Sequence, residues 1–321
     1  MNTGKFIISL DFELMWGVRD KRTIANYGDA IIGARTVLET MLQLFENHNI
    51  RATFATVGFL FHKTKRDLIE NLPDLKPSYS NSNLSPYTDL DTFLGDKNDN
   101  YYFAHSLIEK IKLKNTHEIA THTYCHYYCL EPGQTVEQFE IDLNFAIKVA
   151  KDNSIQLKTI VFPRNQYNQD YLEICRKNGI TSYRGSEYSP IYKSSNREGQ
   201  TLFIRALRLL DTYINITGHN CYRFDKVNES TLHNIPSSRF LRPYSKKFRF
   251  FEQFKFLRIK NAMTYAAKKG LVYHLWWHPH NFGRNTIKNI YLLEKILNHY
   301  DFLNAKYKFE SLTMNELSGK I

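Results

Sequence analysis

The chain has 321 residues, 42% of them hydrophobic and 14% aromatic, enough to bury a large core and to exclude a disordered polypeptide. Its 43 Lys and Arg against 32 Asp and Glu leave a formal charge of +11, which points either to an anionic partner or to a solvated basic surface. No run of about twenty apolar residues is present, so no membrane-spanning helix is predicted.

The N-terminal "KFIISLDFEL" (5–14) reads as a strand, and "MNTG" before it carries no export signal. Residues 28–49 place Ile31, Ile32, Ala34, Val37, Leu38, Met41, Leu42, Leu44 and Phe45 at helical spacing. "RATFATVG" (51–58) is a second strand. Residues 75–100 are rich in Ser, Asn and Asp, which predicts a surface insertion or lid. "YYFAHSLIEKIKLK" is a helix and "HEIATHT" a third strand. Residues 135–153 form an amphipathic helix opened by a Thr135-x-x-Gln138 capping box. "LKTIVFPRN" (157–165) is a fourth strand, and "QDYLEICRKNG" a helix stopped at Gly179. "ITSYRGSE" is a fifth strand. Residues 189–245 carry no clear period, and 189–269 as a whole read as irregular and basic. "GLVYHLWWHPHN" (270–281) is a strand, 287–300 a helix and 307–314 a last strand.

Strands alternating with helices predict a parallel sheet with helices outside it, in a single domain over 1–321. In parallel barrels the chemistry lies at the C-terminal ends of the strands. The unusual polar residues fall there: Asp11 and Glu13 on the first strand, His122 and His126 on the third, Arg164 on the fourth, His278 and His280 after the strand near 275.

His122 and His126 are four apart, and on a helical turn both imidazoles would face one metal ion. Cys125 and Cys129 share that spacing but lack a second pair to complete a thiolate site. With Cys175 and Cys221 they read as reduced, small apolar fillers in a cytoplasmic protein. Asp11 and Glu13, two apart in an apolar strand, point to one face, where ionised groups must be paired or bound to metal. One can be a ligand and the other a base. Arg164 can hold a neighbouring carboxylate through two parallel hydrogen bonds. His278, fixed by Pro279 and flanked by tryptophans, can serve as a general acid, with His280 its competitor.

"SLDFEL", "EIATHTYCH", "FPRNQYN" and "LVYHLWWHPHNF" occur in this order at strand ends. Together they resemble the polysaccharide deacetylase family with the NodB-homology fold, carbohydrate esterase family 4. The resemblance covers about residues 5 to 317. It implies a distorted (β/α)7-8 barrel, a divalent metal (Zn2+, or Co2+, Ni2+ or Mn2+) and hydrolysis of an N-acyl group, usually acetyl, from an amino sugar. It implies Asp11 as catalytic base, Glu13, His122 and His126 as metal ligands, Arg164 as the arginine orienting the base and His278 as the acid. Trp276 or Trp277 would line the acyl slot, with one of the two facing the core. Phe12 between the two acids and "PRNQ" around the arginine depart from the commoner pattern. The tryptophan-bearing fourth motif is replaced, if by anything, by "YRGSEYSP" near 183–190.

Residues 239–270 mix basic residues with Phe248, Phe250, Phe251, Phe254 and Phe256, which predicts an outer barrel helix with a basic exposed side or a helix lying on anionic lipid. Basic charge without an export signal predicts an amino-sugar substrate carrying phosphate, on a nucleotide or lipid carrier in surface-polysaccharide assembly. The expected location is cytoplasmic, with possible peripheral contact at an anionic inner membrane. No zinc-finger, RRM or KH pattern supports nucleic acid. The rival readings are a deformylase or other amide hydrolase on the same fold, and an inactive carbohydrate-binding barrel.

Overall fold

A computed structural model describes residues 3–88, 90, 98–193, 201–224 and 232–319. Among the described residues nine parallel strands form one curled sheet: β1 Lys5–Phe12, β2 Ala52–Thr56, β3 Glu118–Thr121, β4 Thr159–Ile160, β5 Ser182–Tyr183, β6 His233–Asn234, β7 Arg239–Phe240, β8 Val272–Trp277 and β9 Glu310–Leu312. The order is β6-β5-β4-β3-β2-β1-β8-β7, with β9 beside the first half of β1. The two end strands belong to one stretch of chain. Its start pairs with β5, where Ile235 N–H donates to Tyr183 O. Its end pairs with β8, where Leu241 N–H donates to Trp276 O. The chain thus joins both edges of the sheet, and the α/β fold is a distorted barrel.

β1 shows how the pleat sorts the residues. Phe6, Ile8, Leu10 and Phe12 enter the large core between sheet and helices, with Phe45 and Val37 of the helix Ile24–Asn47. Ile7 points the other way, into an inner cluster with Ala55, Ala120, Val161, Val272 and the plug residues Leu312, Met314 and Leu317. Above Ile7 the same face carries Ser9 and then Asp11. The barrel interior is therefore apolar at its N-terminal end and polar at its C-terminal end.

The helices follow the predicted pattern with shifted ends, except that the one expected over 101–114 is broken at Phe103 and Ala104 into Asp99–Tyr102 and His105–Leu113. The capping box at Thr135 and Gln138 opens the helix Val136–Asp152. The helix predicted over 287–300 runs on to Tyr307. Residues 189–245, which have no period, contain β6, β7 and the short helix Leu202–Leu210. Of the predicted insertion at 75–100, residues 89 and 91–97 lie outside the described residues. So do 194–200 and 225–231 of the irregular region. The described part of the insertion docks on the loop after β3: Tyr79 and Leu84 pack on Tyr128, and Tyr128 N–H donates to Tyr79 Oη at 2.7 Å. No helix among the described residues is long and apolar enough to cross a membrane.

Candidate active site

Glu13 follows the last residue of β1 and is almost completely buried. Four imidazoles surround its carboxylate. Oε2 lies 3.3 Å from His122 Nε2 and 3.0 Å from His126 Nε2. Oε1 lies 3.0 Å from His280 Nε2 and 3.6 Å from His278 Nε2. Burial pushes the Glu13 carboxyl up, but His278 and the hydrogen bonds from His122, His126 and His280 outweigh it and hold the group well below the usual carboxylate range. Gly17 makes the space for this carboxylate. A Cβ there would stand 1.9 Å from Glu13 Cδ and 2.0 Å from Oε1, inside any allowed contact.

The expected helical turn across His122 and His126 is absent. They lie in a loop, with Thr123 at φ 65° and His126 at φ 63°, a left-handed backbone that costs a non-glycine residue about 1–2 kcal/mol. Asp142, from the helix Val136–Asp152, offsets that strain by accepting the N–H groups of Tyr124 and Cys125 at 2.8 and 3.0 Å. Gly58 and Phe59 donate to the Thr123 and Tyr124 carbonyls from the other side. The strained loop, not helical periodicity, brings both rings to Glu13.

These donors fit a divalent metal. His122 donates Nδ1–H to Val161 O at 2.7 Å, so a neutral ring turns its Nε2 lone pair toward Glu13 Oε2. Two lone pairs then face each other, an arrangement relieved only by a cation between them, either a proton or a metal ion. A backbone carbonyl on the far nitrogen is the usual support of a metal-ligating imidazole. Burial pulls His126 below the ordinary histidine value, favouring the neutral form a ligand needs. Glu13, His122 and His126 have one ligand atom each within 4.8 Å of one another, and so do Glu13, His278 and His280. His280 as a possible ligand is an addition to the sequence-based set.

Asp11 sits beside this cluster, its Oδ2 3.8 Å from His278 Nε2. Its arginine is Arg184, not Arg164. Arg184 binds both Asp11 oxygens, at 2.6 and 2.8 Å, and also reaches Ser9 Oγ at 3.0 Å and Asn165 Oδ1 at 3.1 Å. Its guanidinium lies 4.1 Å from the centre of the Trp276 ring. Burial tends to raise the Asp11 carboxyl, and Arg184 reverses this, leaving it below the usual range. Ser9 Oγ is in turn 2.8 Å from His274 Nε2, so a polar chain runs down the barrel interior from Asp11. Burial takes His274 down to about 3, which keeps it neutral.

Arg164 is turned elsewhere. At φ 56° its side chain reaches Asp20 at 2.6 Å and Glu131 at 2.9 Å, and stacks 3.9 Å from the Tyr128 ring centre. Tyr128 packs edge-on against His126, so Arg164 braces the wall behind a histidine rather than Asp11. The residue sequence reasoning missed, Arg184, lies within "YRGSEYSP" at the end of the fifth strand. The strand-end rule reaches it. What hid it is that β5 pairs over only two residues.

Trp276 and Trp277 are adjacent on a strand and must face opposite ways. Trp276 faces the mouth, beside His278 and Phe240. Trp277 is fully buried against Phe282 and Phe45, so its expected place in the acyl slot is corrected: it belongs to the core. His278 follows β8 and is half-buried. Asn281 Nδ2–H donates to its Nδ1 at 3.2 Å, which leaves Nε2–H toward the two carboxylates. Burial pulls this imidazole down to about 4, despite Glu13 and Asp11. His280 is held by Tyr27, whose Oη is 2.8 Å from its Nδ1. Gly283 lets this turn approach the helix Ile24–Asn47, because a Cβ there would stand 1.8 Å from Ala30 O. Cys125, Cys129 and Cys175 are buried and free, the thiols of the first two pushed up by burial, as fillers should be.

Among solved structures the fold is similar to a protein described as a polysaccharide deacetylase from Mycobacterium smegmatis, with a TM-score of 0.60, 13% identity, and coverage of 100% of this chain and 90% of that one. A second protein so described, from Pseudomonas aeruginosa PAO1, gives 0.55 at 11% identity, covering 98% and 89%. An allantoinase gives 0.54 at 11% identity, covering 98% and 88%. Identities this low speak for the fold alone. No curated protein sequence matches the chain. The sequence profile of the family "Polysaccharide deacetylase" matches residues 17–183, just over half the chain. That family's reaction is hydrolytic removal of acetyl groups from carbohydrate, generally with a divalent metal, and this chain belongs to the polysaccharide deacetylase family.

Proposed function

We propose that the protein hydrolyses an N-acyl group, most simply N-acetyl, from an amino sugar. The observation that carries this reading is the buried Glu13 carboxylate among His122, His126, His278 and His280, directly beside the Asp11–Arg184 pair. Glu13, His122 and His126 are the proposed ligands of a divalent ion, for which the mixed nitrogen and oxygen donors suit zinc. When bound, such an ion polarises the acyl carbonyl and makes bound water more acidic.

The chain's own residues supply the proton handling. Asp11 accepts the water's proton, and the Arg184 fork fixes the carboxylate for that task. Once water oxygen has bonded to the acyl carbon, the C–N bond breaks and the departing sugar nitrogen takes up a proton. His278 Nε2 stands 3.8 Å from Asp11 Oδ2, on the route that proton must take. Its Nε2–H faces that route: the ring gives this proton to the departing nitrogen, and Asp11 replaces it with the one taken from water. Trp276 and Phe240 wall the mouth and exclude water from it.

The proposed substrate carries phosphate, as a nucleotide- or lipid-linked precursor of surface polysaccharide on the cytoplasmic side. Two features support this reading. The net charge is +11. In addition, the Arg242 guanidinium lies 5.7 Å from the Phe240 ring centre, and that ring lies 5.7 Å from the His278 ring.

Metal analysis of the purified protein beside His122→Ala, with release of acetate from N-acetylated amino-sugar precursors, tests the reaction. The intact protein is expected to hold a stoichiometric divalent ion and release acetate, and the variant to do neither. Full acetate release by His122→Ala would sink the reading.

A further inference from the structure

The helix Leu202–Leu210, "LFIRALRLL", has seven apolar residues among nine, yet none of them is buried. Leu202 is 79% and Phe203 70% exposed. Just beyond it, Tyr213 packs on Phe248 and Phe251, and Phe251 packs on Phe254. The helix is thereby joined to the turn Lys246–Phe251, where Phe250 is 76% exposed, and to the start of the helix Glu252–Lys269. A soluble surface rarely leaves this much contiguous apolar area open without a use. Among the described residues nothing covers it.

The exposed charge around it is mainly positive. Arg205 lies on the helix and Lys246, Lys247 and Arg249 on the turn, with Arg242 partly buried beside them, whereas the flanking acids are paired: Asp211 is buried against Arg239, and Glu252 pairs with Lys255. Bulky aromatic and aliphatic side chains among basic residues match a bilayer interface: the rings enter the acyl boundary and the cations meet anionic headgroups. The location agrees. β7 runs toward the C-terminal end of the barrel, so the turn that follows it lies at the end that holds Asp11 and His278, and Thr212 accepts a hydrogen bond from Arg242 at 2.9 Å beside the mouth.

We infer that this face docks the protein onto an anionic lipid bilayer, with the Leu202–Leu210 helix and Phe250 seated in the interface and the mouth of the site toward the headgroups. The inference rests on the surface and not on the proposed reaction. Of the two expectations for the basic segment, it selects contact with lipid for the exposed start and leaves the buried Ile259, Ala262, Met263 and Ala266 as the outer barrel helix.

Flotation with phosphatidylcholine vesicles, and with phosphatidylcholine–phosphatidylglycerol vesicles, tests it. Binding is expected to the anionic vesicles at low salt and to be lost at high salt. Phe203→Ser and Phe250→Ser are each expected to weaken the partition about tenfold, since each removes a phenyl ring from the interface. Leu113→Ser, an exposed change just before β3 at the opposite end of the barrel, is the control and should leave binding unchanged. Circular dichroism of each variant establishes that it is folded. The inference is overturned if folded protein ignores anionic vesicles, if Leu113→Ser is as damaging as Phe250→Ser, or if light scattering shows a dimer that Phe250→Ser dissociates.

Discussion

β1 and β8 pair over six residues, whereas β4 to β7 each pair over two, or one where β4 meets β3. On the long strands each residue is fixed by the pleat, so Ser9, Asp11, His274 and Trp276 line the interior and Leu10, Leu275 and Trp277 the core. On the short side the chain leaves the sheet early. Arg184 still turns inward to Asp11, but the helix Leu202–Leu210 and the turn Lys246–Phe251 leave apolar residues uncovered. Long pairing places chemistry and hides apolar surface. Short pairing leaves room for a lone cation from an irregular segment to complete the site, and for a face that meets something else.

The strongest way to break that comparison is through its two arginines. Arg184→Lys should cost activity by about two orders of magnitude or more, because a lysine can neither grip both Asp11 oxygens nor stack on Trp276. Arg164→Lys should cost about tenfold or less, as it only loosens the wall behind His126. Steady-state acetate release measures both, and equal losses would refute the assignment of Arg184 to the base. Arg184→Ala should also lower unfolding stability by about 3–5 kcal/mol, since it strands a buried carboxylate.

The second test concerns the carboxylate that holds the histidine loop. Burial pushes Asp142 up to about 6, against its two backbone donors. The folded state therefore binds more protons than the unfolded state between about pH 4 and 6, and stability falls as pH rises through that window. The drop should approach about 3 kcal/mol. Denaturant unfolding of Asp142→Asn against pH should lose this slope, and an unchanged slope would remove Asp142 from the account.

The smallest expected effect sharpens the other half. Leu202→Ser and Phe203→Ser should each change unfolding stability by within about 0.5 kcal/mol, because neither side chain is buried. A loss of about 2 kcal/mol from either would mean that the helix packs on the body after all.

The legible part of this protein followed from local rules. The apolar runs of β1 and β8, helical spacing in Ile24–Asn47, the Thr135 capping box and the placing of Asp11, Glu13, His122, His126 and His278 at strand ends can each be read from a short local stretch. Arg164 was the legible mistake. A strand-end arginine is visible in sequence, but which acid it meets depends on a φ of 56° and on Asp20 and Glu131, neither of which is near it in the chain.

By itself the sequence determined the fold class, the strands that carry acids and imidazoles, and an excess of positive charge, because hydrophobic period and residue type are local quantities. The tertiary structure alone decided that Arg184 and not Arg164 grips Asp11, that His280 joins the ring around Glu13, that Trp277 faces the core, and that the Leu202–Leu210 helix is left uncovered. Each of those is set by contacts between segments far apart in the chain, where no local pattern records which partner wins.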